Sequence, residues 1–159
     1  MTLCNPSDLP NLCPRHTRLL GLDLGTKTIG LAISDLTWNI ASPLETIKRK
    51  KFMIDAKRII EIIESNKIRA LVLGLPLNMN GTEGPRCQST RSFAQNFLDI
   101  YQLPIVLWDE RMSSQAATRA LLDADTSRNR RNKVVDKLAA SFILQGVLDR
   151  LRTDSRPSY

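Results

Sequence analysis

Asp23 closes one apolar run, Asp109 and Glu110 stand side by side at the end of another, and Asp136 shares a helical face with Ala139, Ala140 and Ile143. Carboxylates gathered without His or Cys offer only hard oxygen donors, which select magnesium or manganese. Two such ions about 3.5–4 Å apart activate water and stabilise the attacking and leaving oxygens of a phosphodiester. Mg2+ or Mn2+, as a pair of ions, is therefore the expected cofactor. Its ligands would be Asp23, Asp136 and one or both of Asp109 and Glu110. Zinc is not expected, because His16 is the sole histidine and Cys4, Cys13 and Cys87 contain no CxxC pair. Reduced thiols, as in a cytosol, are the expected state of those cysteines. Taken singly, each acid also has a structural explanation: Asp23 as a turn residue, Asp109 and Glu110 as a strand-end cap, Asp136 as a partner of a helix dipole.

The balance of charge points to what such a centre would act on. The 159 residues carry 23 Lys and Arg against 16 Asp and Glu, a formal charge of +7. Each phosphate that such bases neutralise releases counterions, so nucleic acid is the natural partner. Lys27 lies in a turn just past Asp23, Arg111 follows Glu110, and Arg128, Arg130, Arg131 and Lys133 lead up to Asp136. These six are the expected phosphate contacts. Aromatic residues total only 5%, so shape and backbone recognition are expected rather than base stacking. No apolar run is long enough to cross a membrane, and residues 1–17 lack the marks of a secretory signal. A cytoplasmic protein without membrane partners is the expectation.

The elements that must position these residues follow from hydrophobic periodicity. Three prolines among small polar residues make 1–17 a flexible N-terminal arm; 18–152 form one domain, and 153–159 a tail. Leu19 to Leu22 reads as a strand buried on both faces. The Gly25–Thr28 turn and the alternating run Ile29 to Ile33 complete a β-hairpin. A third strand is expected over Trp38–Ile47, with Pro43 favouring a sheet edge. Phe52 to Ile63 has helical spacing. Ala70–Gly74 is a fourth strand followed by a loop from Pro76 to Arg86. Phe93 to Tyr101 marks a second helix, and Pro104–Trp108 a fifth strand. Ser113 would cap a third helix running to Ala124. A basic loop, Thr126–Asn132, then precedes a long helix from about Lys133 to Arg150. Right-handed crossovers arrange these strands as a mixed five-stranded α/β sheet of order 3-2-1-4-5 with helices on both faces. Ligands bind outside the carboxyl ends of parallel strands in such sheets. Asp23 and the Asp109–Glu110 pair both fall there.

The segment Gly21 to Asp35, GLDLGTKTIGLAISD, strongly resembles the opening motif of the YqgF or RuvX-like family. Three further segments fit in order: Gly74-Leu75-Pro76 with Asn80-Gly81-Thr82, then Asp109-Glu110-Arg111, then Asp136 through Gln145. The resemblance covers about residues 18–150. It implies an RNase H-like fold and a metal-dependent nuclease, with roles in processing the 5′ end of pre-16S ribosomal RNA and in Holliday-junction resolution. By motif position it implies Asp23, Glu110 and Asp136 as the catalytic acids, with Asp109 beside them. Thr28 stands where a basic residue is common, and Met112-Ser113-Ser114 replaces a Leu-Thr-Thr run. Structured RNA and four-way junction DNA both remain open as substrates, and the chain would act as a monomer or a homodimer. A non-catalytic nucleic-acid-binding module is the main rival. The Asp-Leu-Gly-Thr turn also resembles the phosphate loop of actin-like kinases, but these need two lobes, and no Walker-type loop is present.

Overall fold

Alternation along the strands sorts their side chains into two apolar layers, one on each face of a single sheet. The computed structural model describes residues 3–112 and 128–155, with side chains of the last helix described from Asp136 to Asp154. Its strands are β1 (Leu3–Cys4), β2 (Arg18–Leu24), β3 (Thr28–Ser34), β4 (Ala41–Lys48), β5 (Ile68–Leu75) and β6 (Ile105–Asp109). They lie in the order β1-β6-β5-β2-β3-β4. β2, β5 and β6 run parallel, while β3 and β4 are antiparallel to their neighbours. This is the expected 3-2-1-4-5 order with one more strand at its edge.

The added strand corrects the expectation of a loose arm. Leu3 and Cys4 pair with Ile105 and Val106. Leu9, in the short helix α1 (Leu9–Leu12), is fully buried, and Cys13 is buried beside it. These two apolar anchors tie the segment down despite its prolines. Burial, with Cys4 nearby, pushes the Cys13 thiol up to about 11.

Helices α2 (Phe52–Ser65) and α3 (Pro85–Ile100) cover one face, where Leu20, Leu22, Leu31, Leu71, Leu73 and Ile105 meet Ile59, Ile63, Phe93 and Phe97. α3 starts earlier than its apolar pattern, because Pro85 at its first turn is pre-set for helix. Helix α4 (Arg128–Ser155) covers the other face, where Leu19, Ala32, Val72, Val106 and Trp108 meet Ala140, Ile143, Leu144 and Val147. The stretch expected as a basic loop is helical from Arg128, since it contains no Gly or Pro to break the turn. The side chains of Arg128, Arg130, Arg131 and Lys133, and the helix expected over Ser113–Ala124, lie outside the described residues.

β4 begins at Ala41 rather than Trp38, because the preceding residues are gathered round Asp35. The backbone N–H groups of Asn39 and Ile40 donate to its carboxylate at 2.7 and 3.0 Å, and the Thr37 hydroxyl donates as well. Burial opposes ionisation, yet these donors hold the Asp35 carboxyl down at about 2 against an ordinary 3.8. A depressed folded-state value stabilises above the unfolded value and is lost as pH falls through the folded one. Discounted for solvent screening, stability should drop by roughly 1 kcal/mol between about pH 4 and pH 2, and Asp35→Asn should flatten that limb in urea titrations.

Candidate active site

The parity of the strands decides which acids share a face. On β2, Leu20 and Leu22 face α2 and α3, so Asp23 points to the α4 side, where it is 3% exposed. On β6, Ile105 belongs to the α2–α3 layer and Val106 and Trp108 to the α4 layer. Asp109, by alternation, turns away from Asp23. Its carboxylate instead accepts from the backbone N–H of Arg111 at 2.9 Å and from its guanidinium at 2.8–3.2 Å. Those guanidinium bonds hold the Asp109 carboxyl below its ordinary range.

Glu110 opens a short turn (Glu110–Met112) after β6 and reaches back across the sheet. Its Oε1 lies 2.5 Å from where a Cβ on Gly74 would sit, so the carboxylate occupies the space that this glycine leaves on the α4 face. Leu22 pairs with Leu73; one step further, Asp23 and Gly74 stand opposite each other. Asp23 also pairs with Gly30 across the hairpin. A Cβ on Gly30 would strike the carbonyl oxygen of Asp136, so α4 rests directly on β3 there. Two glycines thus bring Glu110 and Asp136 to either side of Asp23. Asp136 lies eight residues into α4, more than two turns from its start. The helix-dipole explanation for this acid therefore does not apply.

Thr28, at the start of β3, donates its hydroxyl to Asp136 Oδ2. The sequence marks this position only as a departure from a basic residue; the structure gives it a partner. Thr28→Val keeps the shape and removes the donor. It should lower stability by about 1–2 kcal/mol in chemical denaturation, and Thr28→Ser should recover most of that loss.

Of the other expected contacts, Lys27 is exposed at the tip of the β2–β3 turn. Arg111 is committed to Asp109, and its Nη1 also donates to the Met79 carbonyl at 3.3 Å. Its guanidinium lies against Gly81, whose φ of +86° a side chain would strain. The Asn80-Gly81-Thr82 motif is thereby a tight turn docked on Arg111. The run Lys48–Lys51 also falls at this end of the sheet, a signal plain in the sequence but not among the expected contacts.

The donors fit a hard divalent cation in kind, being carboxylates alone, and in placement, on one face at the strands' carboxyl ends. They are not drawn into a single coordination sphere. Among the described residues no three His, Cys, Asp or Glu side chains are grouped closely enough to hold a metal ion.

A sheet of this order, covered on both faces, defines the RNase H-like class. It aligns with Thermus thermophilus RuvC bound to a Holliday-junction substrate at a TM-score of 0.54 and 15% identity, over 87% of this chain and 98% of that one. RuvC from the same organism in a second structure gives 0.53 at 13% identity, over 86% and 98%. At such identities the likeness is one of fold. The family model described as "RuvX: Holliday junction resolvase" matches residues 17–150, and the chain belongs to that family. A relative from Ruegeria sp. (strain TM1040), named "Putative pre-16S rRNA nuclease", is 58% identical over 145 residues, 91% of this chain and 92% of its own. Relatives of the same name from Paramagnetospirillum magneticum and Phenylobacterium zucineum are each 54% identical, covering 94% and 96% of this chain and 96% and 99% of theirs. Among the described residues no helix is long and apolar enough to cross a membrane.

Proposed function

We propose that the protein is a metal-dependent nuclease of the cytoplasm that hydrolyses phosphodiester bonds at the 5′ end of pre-16S ribosomal RNA. The observation that carries this reading is the placement of Asp23, Glu110 and Asp136 on one face at the strands' carboxyl ends, made possible by Gly30 and Gly74. The name of its near relatives, which are called pre-16S rRNA nucleases, supports RNA as the substrate. Asp23, Glu110 and Asp136 would hold the metal; Asp109, turned to Arg111, would not. Two bound Mg2+ or Mn2+ ions would supply an activated water and charge stabilisation at the scissile phosphate. Asp23, buried on a rigid strand, fixes the centre's position. Lys27, and the start of α4 with Arg128, Arg130, Arg131 and Lys133, would bring positive charge to the rim.

Cleavage of junction DNA is the second reading, favoured by the description of the matching family. The two separate when the chain is given a 5′-extended pre-16S RNA and a four-way DNA junction side by side, with magnesium and then manganese. Faster cleavage of the RNA is expected. Preferential cutting of the junction would assign the protein to recombination, and binding without cleavage of either would make it a nucleic-acid-binding module.

A further inference from the structure

The bases considered so far leave the densest run in the chain without a role. β4 ends at Lys48, and Lys48-Arg49-Lys50-Lys51 leads without a break into α2. Lys48 pairs with Thr28, the residue whose hydroxyl engages Asp136. The run therefore begins one strand spacing, about 4.8 Å, from a direct contact of the candidate centre.

Its backbone is built rather than loose. Arg49 donates its N–H to the Lys27 carbonyl at 2.8 Å and its Nη1 to the Gly25 carbonyl at 2.6 Å, tying the segment to the β2–β3 turn. The Lys50 N–H donates to both carboxylate oxygens of Asp55, at 3.1 and 3.2 Å, and Asp55 is 2% exposed. Arg49 is half-buried as a tie, whereas Lys27, Lys48, Lys50 and Lys51 are exposed. Among the described residues none of these four lysines forms an ion pair, while Arg58, Arg91, Arg111, Arg150 and Arg152 each do. The two flanks of the centre thus differ. On the β6 side Arg111 is paired with Asp109; on the β4 side no described carboxylate is paired with the four ammonium groups, whose segment is held on a fixed frame.

We propose that Lys27, Lys48, Lys50 and Lys51 form a phosphate-binding ridge that holds the nucleic-acid backbone on the β4 side of the carboxylates. Lysine ammoniums are compact point charges that meet phosphate oxygens and carry no base readout. The ridge rests on the nuclease reading of Asp23, Glu110 and Asp136, because it needs a nucleic acid in the cleft. A patch serving only solubility would contribute to binding no more than any other exposed bases do.

The test is fluorescence-anisotropy titration of a labelled RNA stem-loop and a labelled four-way DNA junction in EDTA, over a range of KCl. Lys48→Ala/Lys51→Ala is compared with Arg15→Ala/Arg69→Ala, which removes two exposed bases at the opposite ends of the strands. Each phosphate contact contributes about 0.9 to the log–log salt slope on a duplex, so the ridge variant should lose about 1.8. Its affinity at about 0.1 M salt should fall roughly 60-fold. Lys48→Arg/Lys51→Arg should restore both, and the Arg15/Arg69 variant should keep most of the wild-type slope. An unchanged slope in the ridge variant, or an equal drop in the Arg15/Arg69 variant, would overturn the ridge. Failure of the nuclease reading shows elsewhere, as intact substrates in magnesium and manganese, and does not alter these slopes.

Discussion

Asp23→Asn is expected to slow single-turnover cleavage by about 10^3 while substrate affinity stays within about twofold of wild type. A metal centre contributes several kcal/mol of charge stabilisation in the transition state, and about 4 kcal/mol corresponds to that factor. Asparagine is nearly isosteric but neutral, and it replaces the acid that β2 holds between Gly30 and the Gly74 gap. Affinity should survive because it comes from bases meeting phosphates, none of which the substitution touches. A parallel melt separates lost chemistry from lost fold. A rate within tenfold of wild type would remove Asp23 from the centre.

Gly30→Ala is the second large effect, and it acts through packing. The added Cβ would meet the carbonyl oxygen and carbonyl carbon of Asp136, which are backbone atoms that cannot rotate aside. Either β3 or α4 must shift, and overpacking of this kind costs typically 1–3 kcal/mol or more. A loss of about 3 kcal/mol would lower the melting temperature by roughly 6–12 °C in a domain of this size. Cleavage should fall further than stability accounts for, because α4 would carry Asp136 away from Asp23. The contrast is Gly84, where an added Cβ meets nothing closer than 3.8 Å; Gly84→Ala should leave the site unmoved.

Most of this framework could be read from residues alone. Buried runs such as Leu19–Leu22 and Ala70–Gly74, the hairpin turn at Gly25 and the helical spacing from Phe52 to Ile63 sufficed for five strands in their order. Two features were hidden for physical reasons. The arm looked loose because its prolines dominate its composition, yet two apolar contacts, Leu9 and Cys13, and a two-residue strand are enough to dock it. The start of α4 looked like a loop because like charges cluster there, although nothing in it breaks a helix.

The site was partly legible. Strand ends, a helix face and motif position single out Asp23, Glu110 and Asp136 as the proposed acids, but strand parity is needed to turn Asp109 towards Arg111. Thr28, Gly30 and Gly74 stand inside the quoted motifs, but what they do for Glu110 and Asp136 shows only in three dimensions. The Lys48–Lys51 run was in plain view. Its significance lies in the pairing of β4 with β3, which places Lys48 opposite Thr28, the residue that bonds Asp136.

The central claim is that these carboxylates cut a phosphodiester through a divalent metal. Its most direct test is cleavage of 5′-extended pre-16S RNA by the wild-type chain in excess EDTA, followed by added manganese. The account predicts no product in EDTA and restored cleavage with manganese, and no such restoration for Asp23→Asn. Cleavage that persists in EDTA and survives Asp23→Asn would contradict it.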